Sequence, residues 1–192
     1  MAETPSTMLE LGTPLPDFTL PDFDGIEHSS ADYAGRPVLV AFICNHCPFV
    51  KHVISEFARQ AAGYQEKGVA VVAISSNDIE SHPQDDPSHM KRFAEENAFS
   101  FPYLFDESQE VAQRYRAACT PDFFLFDAAH RLVYRGQFDS SRPSNGQPVT
   151  GADLSDAVAR VSRGEEVSPD QIPSVGCNIK WKPGNEPTYF GI

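Results

Sequence analysis

Apolar runs without polar interruption alternate along this chain with segments whose apolar residues recur at helical spacing. Residues 38–43 and 69–74 are runs rich in β-branched side chains, which is typical of strands buried on both faces of a sheet. Between them, apolar residues three and four positions apart predict a helix over 48–66, and Gly68 follows as a stop signal. This order predicts a parallel strand–helix–strand unit at the centre of the fold.

The same alternation continues on both sides of this unit. An apolar stretch from Pro14 to Leu20 followed by Asp24-Gly25 predicts an N-terminal β-hairpin, and the polar residues 77–88 predict a solvated surface loop. Residues 165–192 hold seven prolines and glycines, which predicts a tail without regular structure. The remaining predicted elements are helices at about 88–97, 107–117 and 151–163, a strand at 101–105, and an antiparallel hairpin of 123–127 with 132–137.

Length and charge narrow the class of protein. A chain of 192 residues with 41% hydrophobic residues is long enough for one domain, which we place at 1–163, with a proline- and glycine-rich tail at 164–192 packing on it. The formal net charge of −12 disfavours binding to nucleic acids or anionic membranes. No apolar run approaches the roughly 20 residues of a membrane span, and the N-terminus lacks a signal-peptide pattern. We therefore expect a cytoplasmic protein.

The chemistry is concentrated where the first buried strand meets the first helix. Cys47 precedes Pro48, a residue favoured in the first turn of a helix, so the Cys47 thiol should face the positive end of the helix dipole. This environment favours the reactive thiolate. His46 and Lys51 add hydrogen-bonding and positive capacity close by, and Cys44 offers a second thiol three residues away. The sequence thus predicts a reactive cysteine rather than a cysteine that only fills space.

Several segments occur in an order that matches a known group of proteins. They are Pro16-Asp17-Phe18, residues 35–42 (GRPVLVAF), Cys47 at the strand-to-helix junction, Thr120-Pro121 and residues 124–127 (FLFD). Over about residues 10–163 the chain resembles the thioredoxin-like redoxins. Three further segments, residues 45–51 (NHCPFVK), 119–124 (CTPDFF) and 174–182 (SVGCNIKWK), resemble the peroxiredoxin-like group of that superfamily.

This resemblance implies an α/β protein with a thioredoxin-like fold, in which helices flank a central mixed sheet. It implies a cis Thr120-Pro121 bond that packs against Cys47 and brings Cys119 close; from the local sequence alone, a trans bond is the expectation. The chain departs from the relatives at Val50, which stands where thioredoxin has its resolving cysteine, and at Cys44, which stands where peroxiredoxins have a threonine or serine. The expected catalytic residues are Cys47, Cys44, Cys119, Thr120 and Pro121, and the expected substrate-binding residues are His46, Pro48, Phe49, Lys51 and Arg142.

The function that follows is a thiol-based oxidoreductase with Cys47 as nucleophile, acting on peroxide or disulfide substrates without a cofactor. A thiol electron donor, such as thioredoxin or a low-molecular-weight thiol, would return oxidised Cys47 to the thiol. We expect the protein to be a monomer or a homodimer. After oxidation of Cys47, short spacing favours Cys44 as the resolving thiol, with Cys119 second, whereas Cys177 would be either mobile or held in place by packing. Two alternatives are a thiolate site for copper or zinc and a non-catalytic binding module on the same scaffold.

Overall fold

A five-stranded mixed sheet forms the centre of the fold in the computed structural model, which describes residues 3–191. In chain order the strands are β1 (Glu3–Pro5), β2 (Thr19–Pro21), β3 (Glu27–Ser29), β4 (Val38–Phe42), β5 (Ala70–Ser75), β6 (Tyr103–Phe105), β7 (Cys119–Thr120), β8 (Asp122–Phe126), β9 (Leu132–Gly136) and β10 (Val175–Asn178). The helices are α1 (Pro48–Glu66), α2 (Pro87–Glu96), α3 (Glu110–Arg114) and α4 (Ala152–Ser162).

The central sheet has the strand order β6-β5-β4-β8-β9. Strand β5 is parallel to β4 and β6, and β8 is antiparallel to β4 and β9, so the predicted parallel unit and the predicted hairpin are both confirmed. The N-terminal hairpin is also present, with β2 antiparallel to β3. Strand β4 therefore lies in the middle of the sheet, where neighbours cover both of its edges.

Two apolar clusters cover the two faces of this sheet. Leu39 of β4 packs on one face in a cluster with Phe57 of α1 and Leu154 of α4. Val40, the next residue of β4, packs on the other face in a cluster with Tyr115. Both faces of β4 are consequently buried, and the residues that directly follow this strand lie in the protein interior.

Helix α1 has the bounds that apolar periodicity predicts, beginning at Pro48 and ending before Gly68, which adopts a φ of +83°. The helix predicted at 107–117 is shorter, with only the five residues of α3. Gln109 and Arg116 have left-handed φ values of 65° and 51°, which interrupt the helical backbone on either side. Among residues 3–191, no helix combines the length and the apolar composition that a bilayer span needs.

The C-terminal tail differs from its prediction, because it contains a strand. Strand β10 pairs antiparallel with β1 on one edge and with β7 on the other, which makes a second, three-stranded sheet. The backbone of β10 forms hydrogen bonds with segments that are distant in sequence. The composition of the tail therefore could not indicate this strand. Trp181, just beyond β10, is 8% exposed and packs in the same cluster as Val40.

The segment 77–88 is a surface loop, as predicted, but three of its polar side chains are buried. It includes a short 3-10 turn at Pro83–Asp85, and its residues Asn77, Asp78 and Asp85 are buried. The backbone N–H of Asp78 donates to the Lys180 carbonyl, and the N–H of Lys180 donates to Asn77 Oδ1, both at 2.8 Å. The three buried residues thus bond to the tail and to the cysteine site, whereas residues 80, 81, 83, 84 and 88 remain exposed.

Candidate active site

Cys47 is the residue immediately before the first turn of α1, as the sequence predicts. Strand β4 ends at Phe42, and the short connection that follows places Cys47 at the N-cap of the helix, with no exposed surface. Pro48 is the first helical residue and costs no backbone hydrogen bond there, because the first amides of a helix have no intrahelical acceptor. The sulfur atom therefore lies where the unpaired amides of the first turn converge.

Hydrogen bonds make Cys47 an acidic thiol. Its pKa is lowered to about 5, chiefly because the Cys44 thiol donates a hydrogen bond to the Cys47 thiolate. Burial opposes this shift, whereas hydrogen bonds from the side chain and backbone of Cys177 and from the Val50 backbone N–H add to it. At neutral pH Cys47 is a buried thiolate held by several donors, and the thiolate is the nucleophilic form of cysteine.

The peptide bond between Thr120 and Pro121 is cis, as the resemblance implies, and Thr120 faces both cysteines of the loop. The protonated Cys47 thiol donates to the Thr120 carbonyl oxygen at 3.2 Å, and Cys44 Sγ lies 3.4 Å from Thr120 Oγ1. Thr120 is 3% exposed. Strand β7 thus forms one wall of the site, opposite the start of α1.

Cys177 forms part of this wall, a position that the sequence left open. In the β10–β7 pairing Cys177 is directly opposite Thr120, and both its side chain and its backbone hydrogen-bond to Cys47. Burial, together with the neighbouring Cys47 thiolate, raises the pKa of Cys177 to about 12. The tail segment 174–182, which contributed to the family resemblance, therefore supplies a third thiol to the site.

Cys119 occupies a different position from the one expected of a resolving thiol. It is completely buried, and its Sγ donates to the Pro121 carbonyl oxygen at 3.7 Å. Burial raises its pKa well above the ordinary value, and the negative charge of Asp122 adds to this rise. Among the described residues, Cys44 and Cys177 are the thiols that hydrogen-bond to Cys47.

A buried carboxylate anchors the loop between Cys44 and Cys47. Asp85 Oδ2 accepts hydrogen bonds from His46 Nδ1 at 2.6 Å and from Asn77 Nδ2 at 2.8 Å, and Asp85 Oδ1 accepts from the Asn45 backbone N–H at 2.9 Å. Burial raises the pKa of Asp85, but the hydrogen bonds and the His46 charge outweigh it and hold the pKa below its usual value. Asp85 therefore fixes the ring of His46 and the backbone of the loop.

Asp85 was missed by sequence reasoning, because it is one of four acids in a polar segment without periodicity. We expect Asp85→Ala to lower the free energy of unfolding by about 3 kcal/mol, since it leaves buried donors without an acceptor. Urea denaturation at pH 7 measures this. The exposed Asp170→Ala is the matched control and should change stability by less than about 0.5 kcal/mol. Equal effects of the two substitutions would contradict the anchoring role.

The residues expected to bind substrate do not line one common pocket. Phe49 is partly buried beside Pro121 in a small pocket that Arg142 also lines, whereas Lys51 is exposed on α1 and borders a separate cleft with His46. The Arg142 guanidinium donates to the carbonyl oxygens of residues 139 and 141 and to the side chain of residue 137. Its hydrogen bonds thus organise its own loop, and they do not include the thiolate.

Three side chains of the site have donor atoms that could bind a metal ion. Cys44, His46 and Asp85 each offer one donor atom, and the three atoms lie within 4.8 Å of one another. Sulfur, imidazole and carboxylate donors suit zinc, whose structural sites use four protein ligands and whose catalytic sites use three protein ligands and a water. Here the carboxylate already accepts three hydrogen bonds, and the Cys44 thiol donates a hydrogen bond to Cys47. We therefore assign the cluster to support of the thiolate.

A cysteine thiolate at a helix N-terminus, opposite a cis-proline wall and beside a mixed five-stranded sheet, defines a thiol oxidoreductase of the thioredoxin-like fold. Solved disulfide oxidoreductases at 21% identity share this fold, among them a secreted protein of Mycobacterium tuberculosis with a TM-score of 0.58, which covers 74% of this chain and 94% of its own. The chain belongs to the AhpC/TSA family, whose model matches residues 11–135.

The relatives found by sequence similarity include a peroxiredoxin and a thiol-disulfide oxidoreductase. Peroxiredoxin Bcp of Escherichia coli (strain K12) is 29% identical over 66% of this chain and 78% of its own. Thiol-disulfide oxidoreductase ResA of Geobacillus thermodenitrificans is 27% identical over 65% of this chain and 67% of its own. The crystal structure of an uncharacterized conserved protein from Geobacillus kaustophilus is 50% identical, with a TM-score of 0.93, over 96% of this chain and 98% of that one. The protein is a thiol-based oxidoreductase that acts on peroxide or disulfide.

Proposed function

We propose that the protein reduces hydroperoxides, with Cys47 as the nucleophile. The observation that carries this choice is that β10 already pairs with β7 along the backbone edge at Thr120. An extended peptide that carried a disulfide to Cys47 would bind this edge by strand addition, and it would have to displace β10 first. A hydroperoxide needs no strand pairing and only has to reach the sulfur.

The chemical step follows from the state of Cys47. Its thiolate attacks one oxygen of the hydroperoxide, the O–O bond breaks, and an S–O bond forms. The sulfur is oxidised to a sulfenic acid, and the peroxide is reduced to an alkoxide or hydroxide that takes up a proton. Cys44, whose thiol already donates to Cys47, occupies the place where a second polar hydrogen would orient the peroxide. Its contact with the Thr120 hydroxyl at 3.4 Å keeps it in that place.

The cycle also needs a reductant and a suitable compartment. The electron donor in this proposal is thioredoxin or a low-molecular-weight thiol, which returns oxidised Cys47 to the thiolate. We place the reaction in the cytoplasm, where cysteines are kept reduced, because the proposed cycle starts from a reduced Cys47. The catalytic unit in this proposal is a monomer or a homodimer.

A comparison of the rates at which the two substrate classes oxidise Cys47 tests the proposal. Fully reduced protein receives one equivalent of either hydrogen peroxide or a peptide containing an intermolecular disulfide, and the loss of the Cys47 thiol is followed by mass spectrometry. We expect oxidation by the peroxide to be at least about tenfold faster, because the peptide must first displace β10.

Protein alkylated with iodoacetamide at pH 6 is the control, since at that pH Cys47 is ionised and Cys177, with a pKa of about 12, is not. The alkylated protein should react with neither oxidant. Faster oxidation by the peptide disulfide would contradict the proposal and favour disulfide exchange instead.

A further inference from the structure

The structure assigns to Cys177 the resolution of oxidised Cys47, through a disulfide within one chain between the C-terminal strand β10 and the start of α1. This inference rests on the proposed function, because the sulfenic acid must form first. It replaces the expectation that Cys44, or next Cys119, is the resolving thiol. Cys177 also lies outside residues 11–135, the part of the chain that the family model matches.

The position of Cys177 is fixed by strand pairing on both sides. Glu3 of β1 is its partner on one edge and Thr120 of β7 on the other. The neighbouring Gly176 lies so close to the Thr120 carbonyl that a Cβ atom there would collide with it. Both the side chain and the backbone of Cys177 hydrogen-bond to Cys47. The two sulfur atoms are therefore neighbours before any oxidation takes place.

Charges near the two candidate thiols favour Cys177 over Cys44. The buried carboxylate of Asp85 faces Cys44 and opposes formation of a second negative charge there. Burial and Cys47 raise the pKa of Cys177, but the ammonium group of Lys180, which donates to the carbonyl oxygen of the adjacent Asn178, opposes this rise and favours the Cys177 thiolate. The thiolate is the form that attacks a sulfenic acid, so these charges support the role that the strand pairing beside Cys47 gives to Cys177, and they leave Cys44 as a hydrogen-bond donor.

Oxidation of Cys47 itself prepares the second step. While Cys47 is a thiolate, its charge raises the pKa of Cys177. The sulfenic acid is neutral, so this repulsion is lost as soon as the first step has occurred. Burial still raises the pKa of Cys177, so the thiol passes its proton to the leaving hydroxyl as its sulfur attacks the Cys47 sulfur. The S–O bond breaks, the S–S bond forms, and the hydroxyl leaves with the proton as water. An external dithiol or two thiols reduce the disulfide and restore both cysteines.

Mapping of the oxidised protein tests this assignment. Reduced wild-type protein receives one equivalent of hydrogen peroxide, is digested without reductant, and is analysed by mass spectrometry. We expect a loss of about 2 Da and a peptide pair joined through Cys47 and Cys177. Cys119→Ser is the matched control, since this buried thiol donates to Pro121 instead, and it should give the same linked pair.

Cys177→Ser and Cys177→Ala should lose the linked pair, and their Cys47 should be trapped as a sulfenic acid by dimedone. The wild-type map decides the question even if neither variant folds. A wild-type disulfide from Cys47 to Cys44, or an unchanged 2 Da loss in the Cys177 variants, would overturn the assignment while leaving the proposed function intact. If Cys47 remains a thiol in every sample, the proposed peroxide chemistry itself has failed.

Discussion

Replacement of Cys47 by serine is expected to reduce peroxide consumption by about 1000-fold or more, to the rate of the uncatalysed reaction with the reductant. The serine hydroxyl keeps the size of the side chain, but it does not ionise at neutral pH and cannot take an oxygen from the peroxide. Consumption of hydrogen peroxide in the presence of dithiothreitol measures the effect. The fold should tolerate this change, because the buried serine hydroxyl can take over the hydrogen bonds with Cys44 and Cys177.

The pH dependence of the wild-type protein provides the corresponding signature. Since the pKa of Cys47 is lowered to about 5, its alkylation by limiting iodoacetamide should rise with pH through a midpoint near 5 and be constant by pH 7. An ordinary thiol would still be gaining reactivity at pH 8.

Cys119→Ser is the control and should keep both the activity and the midpoint. Residual peroxidase activity in Cys47→Ser, or a midpoint near 8.5, would rule out Cys47 as the thiolate nucleophile.

The central part of the fold and the nucleophile could be predicted from the sequence, because each leaves a local pattern. Strand β4 is buried on both faces, so every position must be apolar, and α1 buries one face, so its apolar residues recur at helical spacing. Cys47 at the junction of these two elements then follows from chain order alone. The predicted hairpin agrees with the structure for a similar reason, since β8 contains the apolar run 123–126 and the residues of β9 are alternately buried and half-buried.

The remaining part of the site depends on contacts that leave no local pattern. Strand β10 has four residues, one of them a glycine, and its pairing with β1 and β7 joins segments more than 50 residues apart. Asp85 looks like the other acids of its segment until the fold buries it against His46. In both cases the backbone or a carboxylate, rather than an apolar side chain, makes the decisive contact. Periodicity and composition report on apolar burial and do not record such contacts.

Gly176→Ala is expected to separate β10 from the site. The Cβ atom would collide with the carbonyl oxygen and carbonyl carbon of Thr120, which are backbone atoms and cannot rotate away. The strand must therefore shift, and overpacking of this kind costs about 1–3 kcal/mol of stability. Urea denaturation measures that loss. Gly63→Ala is the matched control, because Gly63 lies in α1 with open space around its Cβ position and should gain about 0.5–1 kcal/mol.

The same shift should alter the chemistry in two opposite directions. Formation of the disulfide between Cys47 and Cys177 should slow by about 100-fold, because a displacement near 1 Å removes the attacking geometry. Oxidation of Cys47 by a peptide disulfide should accelerate in the same variant, because the edge at Thr120 is now open to strand addition.

Both rates are measured by rapid-quench mass spectrometry of the reduced variant after addition of each oxidant. If Gly176→Ala changes neither rate relative to Gly63→Ala, β10 neither covers the substrate edge nor presents the resolving thiol. Opposite changes in the two rates would attribute both roles to the one strand, since a general loss of folding would lower them together.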